Sequence, residues 1–258
     1  GTTEKIVLPI LKDKLSEKYN FDCIPMLAHS YERVMPGPNY IDSIQNFYRV
    51  YSGIDKKSAD AVEEFLKTII STKKYPLTRL ENTNSTELAK VLENSYRAMN
   101  IAFMVEWTRF AEESNVNIYD TINAIRLRPT HSNMMYPGIG VGGYCLTKDA
   151  LLASWSRQNL FKGNILAQSE LAININDQMP RNAFEFLSKK INIKEIKNIL
   201  LLGISYRGDV GDTRFSPVEK FYDYVKNNKN KIYVSDPYIK FWDEKSIDVF
   251  QNIKKPFE

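Results

Sequence analysis

NSTELAKVLENSYRAMNIAFMVEWTRFAEE, residues 84–113, contains neither Pro nor Gly, and none follows it until Pro129. Asn84, with Glu87 three residues on, reads as a capping box opening a helix that runs for about 45 Å at 1.5 Å per residue. Leu88, Leu92, Tyr96, Met99, Phe103, Trp107 and Phe110 recur every three or four residues and form one broad stripe, too wide and aromatic for a coiled-coil seam. The simplest reading is a core helix.

Segments flanking this helix give the rest of the architecture. Helical patterns at about 118–127, 147–160 and 164–190 make the middle of the chain a helical layer, also suited to a large subunit interface. IKNILLLG (196–203), the polar loop ISYRGDVGDTRF (204–215), a helix opening at Ser216-Pro217 and the strand KIYVSD (231–236) form a βαβ unit. On the N-terminal side a helix from Thr2 to Lys18 precedes two strand-like runs, FDCIPML and FYRVYSG. A further helix opens at Ser58 or Asp60 and carries Val62, Phe65, Leu66, Ile69 and Ile70 at helical spacing. This alternation defines an α/β chain that opens inside a helix, as the tail end of a domain would.

Composition narrows the function. With 43% hydrophobic residues in 258, a sizeable core is available. Net charge is +4 with both signs interspersed, so there is no basic stripe for a phosphate backbone and nucleic acid is excluded as a partner. Cys23, Cys145, His29 and His131 are too few and too scattered for a metal site. No apolar run approaches the roughly 18 residues of a membrane helix, and GTTEKIVLP lacks a signal-peptide profile. A soluble, reducing, cytoplasmic setting is expected, with no membrane.

PGIGVGGYC (137–145) is the densest glycine cluster. As a dinucleotide loop it offers Gly138-x-Gly140 and Gly143, but with approximate spacing and no strand before it. Close approach of backbone to a ligand, or a tight turn between helices, suits these glycines better. Cys145 ends the loop where Thr147 and Asp149 open a helix, with Lys148 nearby, a setting that favours an anionic sulfur; a small buried residue is the alternative. Cys23 reads as buried in an apolar strand. Lys90 and Asn94, four apart, project from one side of the long helix, and such a pair suits an oxyanion beside a nucleophilic sulfur, or else a solvated face. Glu32 and Arg33 follow a strand, at the end where α/β proteins keep functional groups, or form a surface ion pair. Arg207 and Arg214 suit a diphosphate.

Four segments in order, YERVMPG (31–37), the long helix from Asn84, PGIGVGGYCLTKD (137–149) and GISYRGDVGDTRFSP (203–217) followed by VSDPY, resemble the UDP-glucose, UDP-N-acetylmannosamine and UDP-N-acetylglucosamine 6-dehydrogenases. The resemblance covers nearly all the chain. It implies a partial N-terminal Rossmann-like remnant (1–80), a central long-helix dimerisation domain (81–190) and a partial C-terminal Rossmann-like domain for the nucleotide sugar (191–258). It further implies NAD as cofactor, a UDP-sugar substrate and a homodimer. Cys145 would be the nucleophile carrying a thiohemiacetal and then a thioester, Lys90 and Asn94 would hold the oxyanion, Asp149 would move protons through a water, and Glu32 would assist hydrolysis. The sugar nucleotide would lie between the glycine loop, with Gly138, Gly140 and Gly143, and the βαβ loop, with Tyr206 and Arg207. Arg33 and Tyr136 would also touch substrate, and Arg214 would face the cofactor.

Departures from the pattern are Tyr31 and Ala150 where many members have proline, Arg207 where lysine is usual, and two candidates, Arg128 and His131, for a basic residue reaching a neighbouring subunit's sugar. GTTEKIVLPIL resembles the segment after the fifth strand of the dinucleotide-binding domain, so the chain is expected to be a fragment lacking both ends and the main NAD seat. YERVMPG and RPTHSNMMYPG resemble the N-acetylhexosamine branch, which implies a UDP-N-acetylhexosamine for surface polysaccharide synthesis, with UDP-glucose as the alternative. A non-catalytic dimerisation module is the second reading; it would need none of Cys145, Lys90, Asn94 or Asp149.

Overall fold

The computed structural model describes residues 1–20, 24–227 and 229–251. The chain divides into two compact units, Gly1–Glu93 with Leu152–Ile165, and Asn94–Leu151 with Leu166–Glu258.

In the first unit a π-type segment, Thr3–Val7, leads into α1 (Leu8–Tyr19). β1 (Ala28–Ser30), α2 (Tyr40–Gln45), β2 (Val50–Gly53), α3 (Lys56–Lys67) and β3 (Thr78–Arg79) follow. The sheet order is β1-β2-β3; β2 is antiparallel to β1, with His29 opposite Ser52, and parallel to β3. The strand expected in FYRVYSG is shortened to Val50–Gly53, and the one expected in FDCIPML lies just beyond that run, at Ala28–Ser30. Residues 24–27 of FDCIPML lie outside regular structure, and its start, including Cys23, falls outside the described residues. The opening of α3 also moves: extended Asp55 accepts from Ser58 N at 2.6 Å, so Asp55 is the cap, ahead of Ser58 and Asp60.

The long helix is α4 (Thr83–Glu113). Asn82 Oδ1 accepts from Ser85 N at 2.9 Å, so the cap lies two residues before Asn84. Glu87 does not complete a capping box on its own helix. Its carboxylate accepts from Thr2 N at 2.9 Å and Thr3 N at 2.6 Å, where an anion is favoured at the start of a helical segment.

In the second unit α4 buries Ala98, Ile101, Ala102, Met104, Val105 and Ala111. The stripe read as core faces solvent instead: Leu88, Leu92, Tyr96, Phe103, Trp107 and Phe110 are 47–60% exposed. Both faces of α4 are apolar, so periodicity cannot choose between them, and packing chooses the small one. α5 (Ile118–Arg126), α6 (Tyr144–Asn159) and α7 (Ala167–Lys190) follow, and Ala98 and Ala102 of α4 cluster with Ala150 of α6 and Ala172 and Ile173 of α7. Alanine lets helix backbones come close, which aromatic rings at those positions would prevent.

β4 (Asn198–Leu202), α8 (Pro217–Val225) and β5 (Lys231–Ser235) form the expected βαβ unit, with β4 and β5 parallel and in register from Asn198–Lys231 to Leu202–Ser235. Ser216 caps α8 and Pro217 takes its first turn, as their order predicts. The antiparallel pair β6 (Phe241–Trp242) and β7 (Ile247–Asp248) follows. Leu201, Ile204, Tyr222, Val234, Trp242 and Val249 close the core beneath it. Among the described residues no helix is long and apolar enough to cross a membrane, and no cluster of His, Cys, Asp and Glu is suited to a metal ion.

Candidate active site

α6 starts at Tyr144, three residues earlier than read from the sequence, so exposed Cys145 sits inside its first turn. Thr147 does not cap the helix; its hydroxyl donates back to Gly143 O at 2.8 Å. One turn beyond Cys145, on the same side of α6, is buried Asp149. Its carboxylate accepts from Asn94 Nδ2 at 2.6 Å and pairs with Lys148 Nζ at 3.0 Å. Asn94, Asp149 and the helix turn bearing Cys145 are thus brought together, and the Lys148 ammonium is directed to Asp149.

The glycine loop is held by a residue that sequence reading passed over. Asn176 of α7 accepts from Val141 N at 2.7 Å and donates to Val141 O at 2.9 Å, gripping both polar groups of one peptide residue. Pro180, buried in α7, lacks the N–H that would bond the Asn176 carbonyl. The one available signal was a polar residue four before a proline.

Gly142 and Gly143 serve loop-to-loop packing. A Cβ on Gly142 would lie 2.4 Å from Phe215 O, and Gly143, at φ +79°, would place one 2.9 Å from the Tyr206 ring. Gly143 N also donates to Arg214 O at 3.2 Å. The two loops expected to flank a sugar nucleotide therefore touch at Gly142, Gly143, Tyr206 and Phe215. Beside the contact opens a cavity of about 300 Å³, walled in part by Tyr144, Thr147, Lys148, Asn176, Phe215 and Lys220; Cys145 is not part of its wall. Gly140 has φ +134° and faces Pro217, whereas a Cβ on Gly138 would meet open space.

The other expected ligand contacts are placed as follows. Tyr136 donates to Asn123 Oδ1 at 2.5 Å and stacks on Tyr119, with Arg126 over its ring. Arg207 is exposed. Arg214 is exposed too, but its guanidinium forks onto Asp212 at 2.9 and 2.7 Å, and that hydrogen-bonded pair raises the Arg214 pKa and lowers that of Asp212. Arg128 precedes the single turn Pro129–His131 and His131 ends it, with His131 Nδ1 2.8 Å from Thr130 Oγ1. At the end of β5, buried Asp236 accepts from Ile204 N at 3.0 Å, Ser205 N at 3.3 Å and Tyr238 N at 2.9 Å. Burial works to raise its pKa, and these N–H groups outweigh burial and leave it below the usual carboxylate value.

In the first unit Lys90 Nζ donates to the backbone carbonyl of Glu32 at 3.0 Å and lies over the Tyr31 ring. The Glu32 side chain is exposed and turns back to accept from Val34 N. Arg33 pairs with Glu93 at 3.1 Å rather than with Glu32, and also donates to Tyr48 O at 3.0 Å and Tyr31 Oη at 2.8 Å. The structure therefore joins Lys90 to Glu32 through backbone and commits Arg33 to protein partners. Half-buried His29 lies 2.8 Å from Thr86 Oγ1, and burial holds its pKa below the ordinary value.

Of these positions Lys90, Asn94, Tyr136, the glycine loop, Cys145, Asp149 and Asn176 fall within a known domain. Residues 84–178 match the UDP-glucose/GDP-mannose dehydrogenase family, central domain, and the chain carries that domain. Among curated relatives, UDP-N-acetyl-D-mannosamine dehydrogenase of Pyrococcus horikoshii is 34% identical over 93% of this chain and 55% of its own length. That of Methanocaldococcus jannaschii is 35% identical over 85% of this chain and 46% of its own length. Thus the chain spans about half the length of the curated relatives it matches. The solved UDP-D-ManNAc dehydrogenase of P. horikoshii superimposes with a TM-score of 0.75 at 28% identity, covering 95% of this chain and 58% of that one. An NDP-N-acetyl-D-galactosaminuronic acid dehydrogenase from Methanosarcina mazei shares the fold at a TM-score of 0.82 and 24% identity, over 99% of this chain and 55% of that one.

Proposed function

We propose that this chain is the catalytic and dimerisation core of a nucleotide-sugar 6-dehydrogenase. The reaction is the NAD-dependent, four-electron oxidation of the C6 hydroxyl of a UDP-N-acetylhexosamine to a carboxylate, for surface polysaccharide precursors. Residues 1–80, 81–190 and 191–258 are then the end of the cofactor domain, the central domain and part of the nucleotide-sugar domain. The observation that supports this most is the Asn94–Asp149 hydrogen bond of 2.6 Å, one helical turn from Cys145, within residues that match the family's central domain. The names of the relatives support the N-acetylhexosamine.

NAD supplies the hydride acceptor when bound. Within the chain the Asp236 carboxylate accepts from backbone N–H groups and Arg214 is held by Asp212. The chain's own side chains do the following. Cys145 Sγ bonds to the C6 aldehyde carbon, and the carbonyl oxygen gains a proton to give the thiohemiacetal. Lys90, released from the Glu32 carbonyl, and Asn94 donate to that oxygen while it carries negative charge. Once the thiohemiacetal has become a thioester, water adds to its carbonyl and loses a proton through Asp149, with Glu32 assisting. The C–S bond then breaks, the acid leaves and sulfur is restored. The solvent-facing stripe of α4 is the seam of a homodimer, since a contiguous apolar face of this size marks an interaction surface.

In the product of the intact gene, Cys145→Ser is expected to abolish acid formation from UDP-N-acetylmannosamine, with NADH absorbance as the readout. Retained turnover would overturn the nucleophile. Steady-state comparison with UDP-N-acetylglucosamine and UDP-glucose tests the sugar; preference for UDP-glucose would favour the other branch. Light scattering tests the dimer, with Phe103→Glu expected to give monomers.

A further inference from the structure

We propose that His29 is a positioning residue which, through Thr86, sets the register between β1 and α4 that brings Lys90 to Glu32. This rests on the reading of Lys90 and Glu32 as members of the active site.

His29 and Ser52 are cross-strand partners, so their side chains share one face of the β1–β2 pair. Both reach the same atom: Thr86 Oγ1 lies 2.8 Å from His29 Nδ1 and 2.8 Å from Ser52 Oγ. Thr86 also donates to Thr83 O at 3.0 Å. A carbonyl cannot donate, so the single hydroxyl hydrogen of Thr86 goes to Thr83, and both neighbours must donate to Thr86 Oγ1. The network therefore assigns His29 the tautomer with hydrogen on Nδ1. Protonation at Nε2 leaves that bond in place.

The geometry then couples two rungs. Lys90 is four residues after Thr86, one turn along the same side of α4, a rise of about 6 Å. Glu32 is three residues after His29, two past the end of β1. The first rung is His29–Thr86, in which Thr86 and Ser52 are fully buried; the second is Lys90 Nζ to Glu32 O at 3.0 Å. β1 has only three residues and ends before Tyr31, so its ladder stops short of Glu32. The first rung supplies a fixed point from which Lys90 and the Glu32 peptide are held in step. A misplacement of about 1 Å at a catalytic group costs on the order of 100-fold in rate.

The test uses the product of the intact gene, NAD and UDP-N-acetylmannosamine, with melting followed by circular dichroism. His29→Leu keeps bulk and removes the donor; it is expected to lower kcat roughly tenfold or more with KM changed less than about twofold. His29→Asn places an amide nitrogen where Nδ1 was and is expected to restore kcat to within about threefold, with the pH profile of kcat unchanged. If His29→Leu does not fold, Thr86→Val against Thr86→Ser makes the same comparison, with rescue expected from the serine. Wild-type kcat in His29→Leu or Thr86→Val overturns the positioning role. Loss of an acid limb in His29→Asn also overturns it, by showing that His29 itself exchanges the proton. Lys90→Ala separates the two ideas: full activity there removes the active-site reading, whereas an inactive Lys90→Ala beside a normal His29→Leu removes only the register.

Discussion

The two units bury different chemistry. In the second unit the interior is made mostly of apolar side chains, in the Leu201–Val249 cluster and the alanine-lined packing of α4, α6 and α7. In the first, Thr3, Ser43, Arg49, Ser52, Ser58, Thr83 and Thr86 are buried beside Tyr31, Tyr51, Ala59, Leu66 and Ile70, and hydrogen bonds set much of the geometry. Arg49 donates to Tyr31 O at 2.9 Å and Ser52 meets Thr86 at 2.8 Å, each fixing strand against a neighbouring segment. A dry core tolerates change of polarity poorly and change of contour within limits. A polar one depends on single atoms being in place.

The largest effect is expected where the dry core is emptied. Trp242 is fully buried, and Trp242→Ala is expected to cost about 3–5 kcal/mol in urea unfolding. Trp242→Phe should cost far less, since the indole N–H has no partner among the described residues. Next comes contour without loss of volume. Gly142→Ala forces a Cβ to within 2.4 Å of a carbonyl oxygen and is expected to cost about 1–3 kcal/mol by the same measurement. In the polar unit, Ser52→Ala removes one of two donors to Thr86 and is expected to cost about 1 kcal/mol.

The smallest effect is a difference in pH response. His29 has its pKa lowered from 6.5 by burial, so the unfolded chain binds the proton more readily. Its contribution to stability is intact above pH 6.5 and is lost as pH falls from there toward the folded value. Asp236 is also lowered, from 3.8, so its contribution fades only as pH falls below that value. Urea midpoints at pH 7.5 and pH 5 should therefore draw apart less in His29→Asn than in the parent, whereas Asp236→Asn should leave that interval unchanged. An equal response in both variants would dissolve the contrast between the units.

What was legible in the sequence follows the same line. The βαβ unit, the Ser216-Pro217 start and the helices of the middle region were readable because apolar periodicity and caps are local signals. The exposed side of α4 was misread because Leu92, Tyr96 and Phe103 on one side and Ile101, Met104 and Val105 on the other are equally apolar, and only the partners of α4 decide between them. Glu87 was assigned to its own helix, yet it serves residues 84 positions away in sequence, at Thr3. Of the candidate site, the neighbourhood of Cys145, Asn94 and Asp149 was legible through motif resemblance. Asn176, Asp212 and the His29–Thr86–Ser52 group were not, because a side chain that bonds a distant partner leaves no period.

The double hydrogen bond from Asn176 to Val141 makes the loop before α6 a counted distance. Three residues separate that anchor from Cys145, and the last of them, Tyr144, already belongs to α6. A residue inserted between Val141 and Tyr144 would swing the sulfur by about 100° around the helix axis or pull the amide grip apart. At exposed Gly138, three residues before the anchor, the same insertion meets open space. In any lineage that keeps the cysteine aimed, length is therefore free to drift on one side of Val141 and locked on the other.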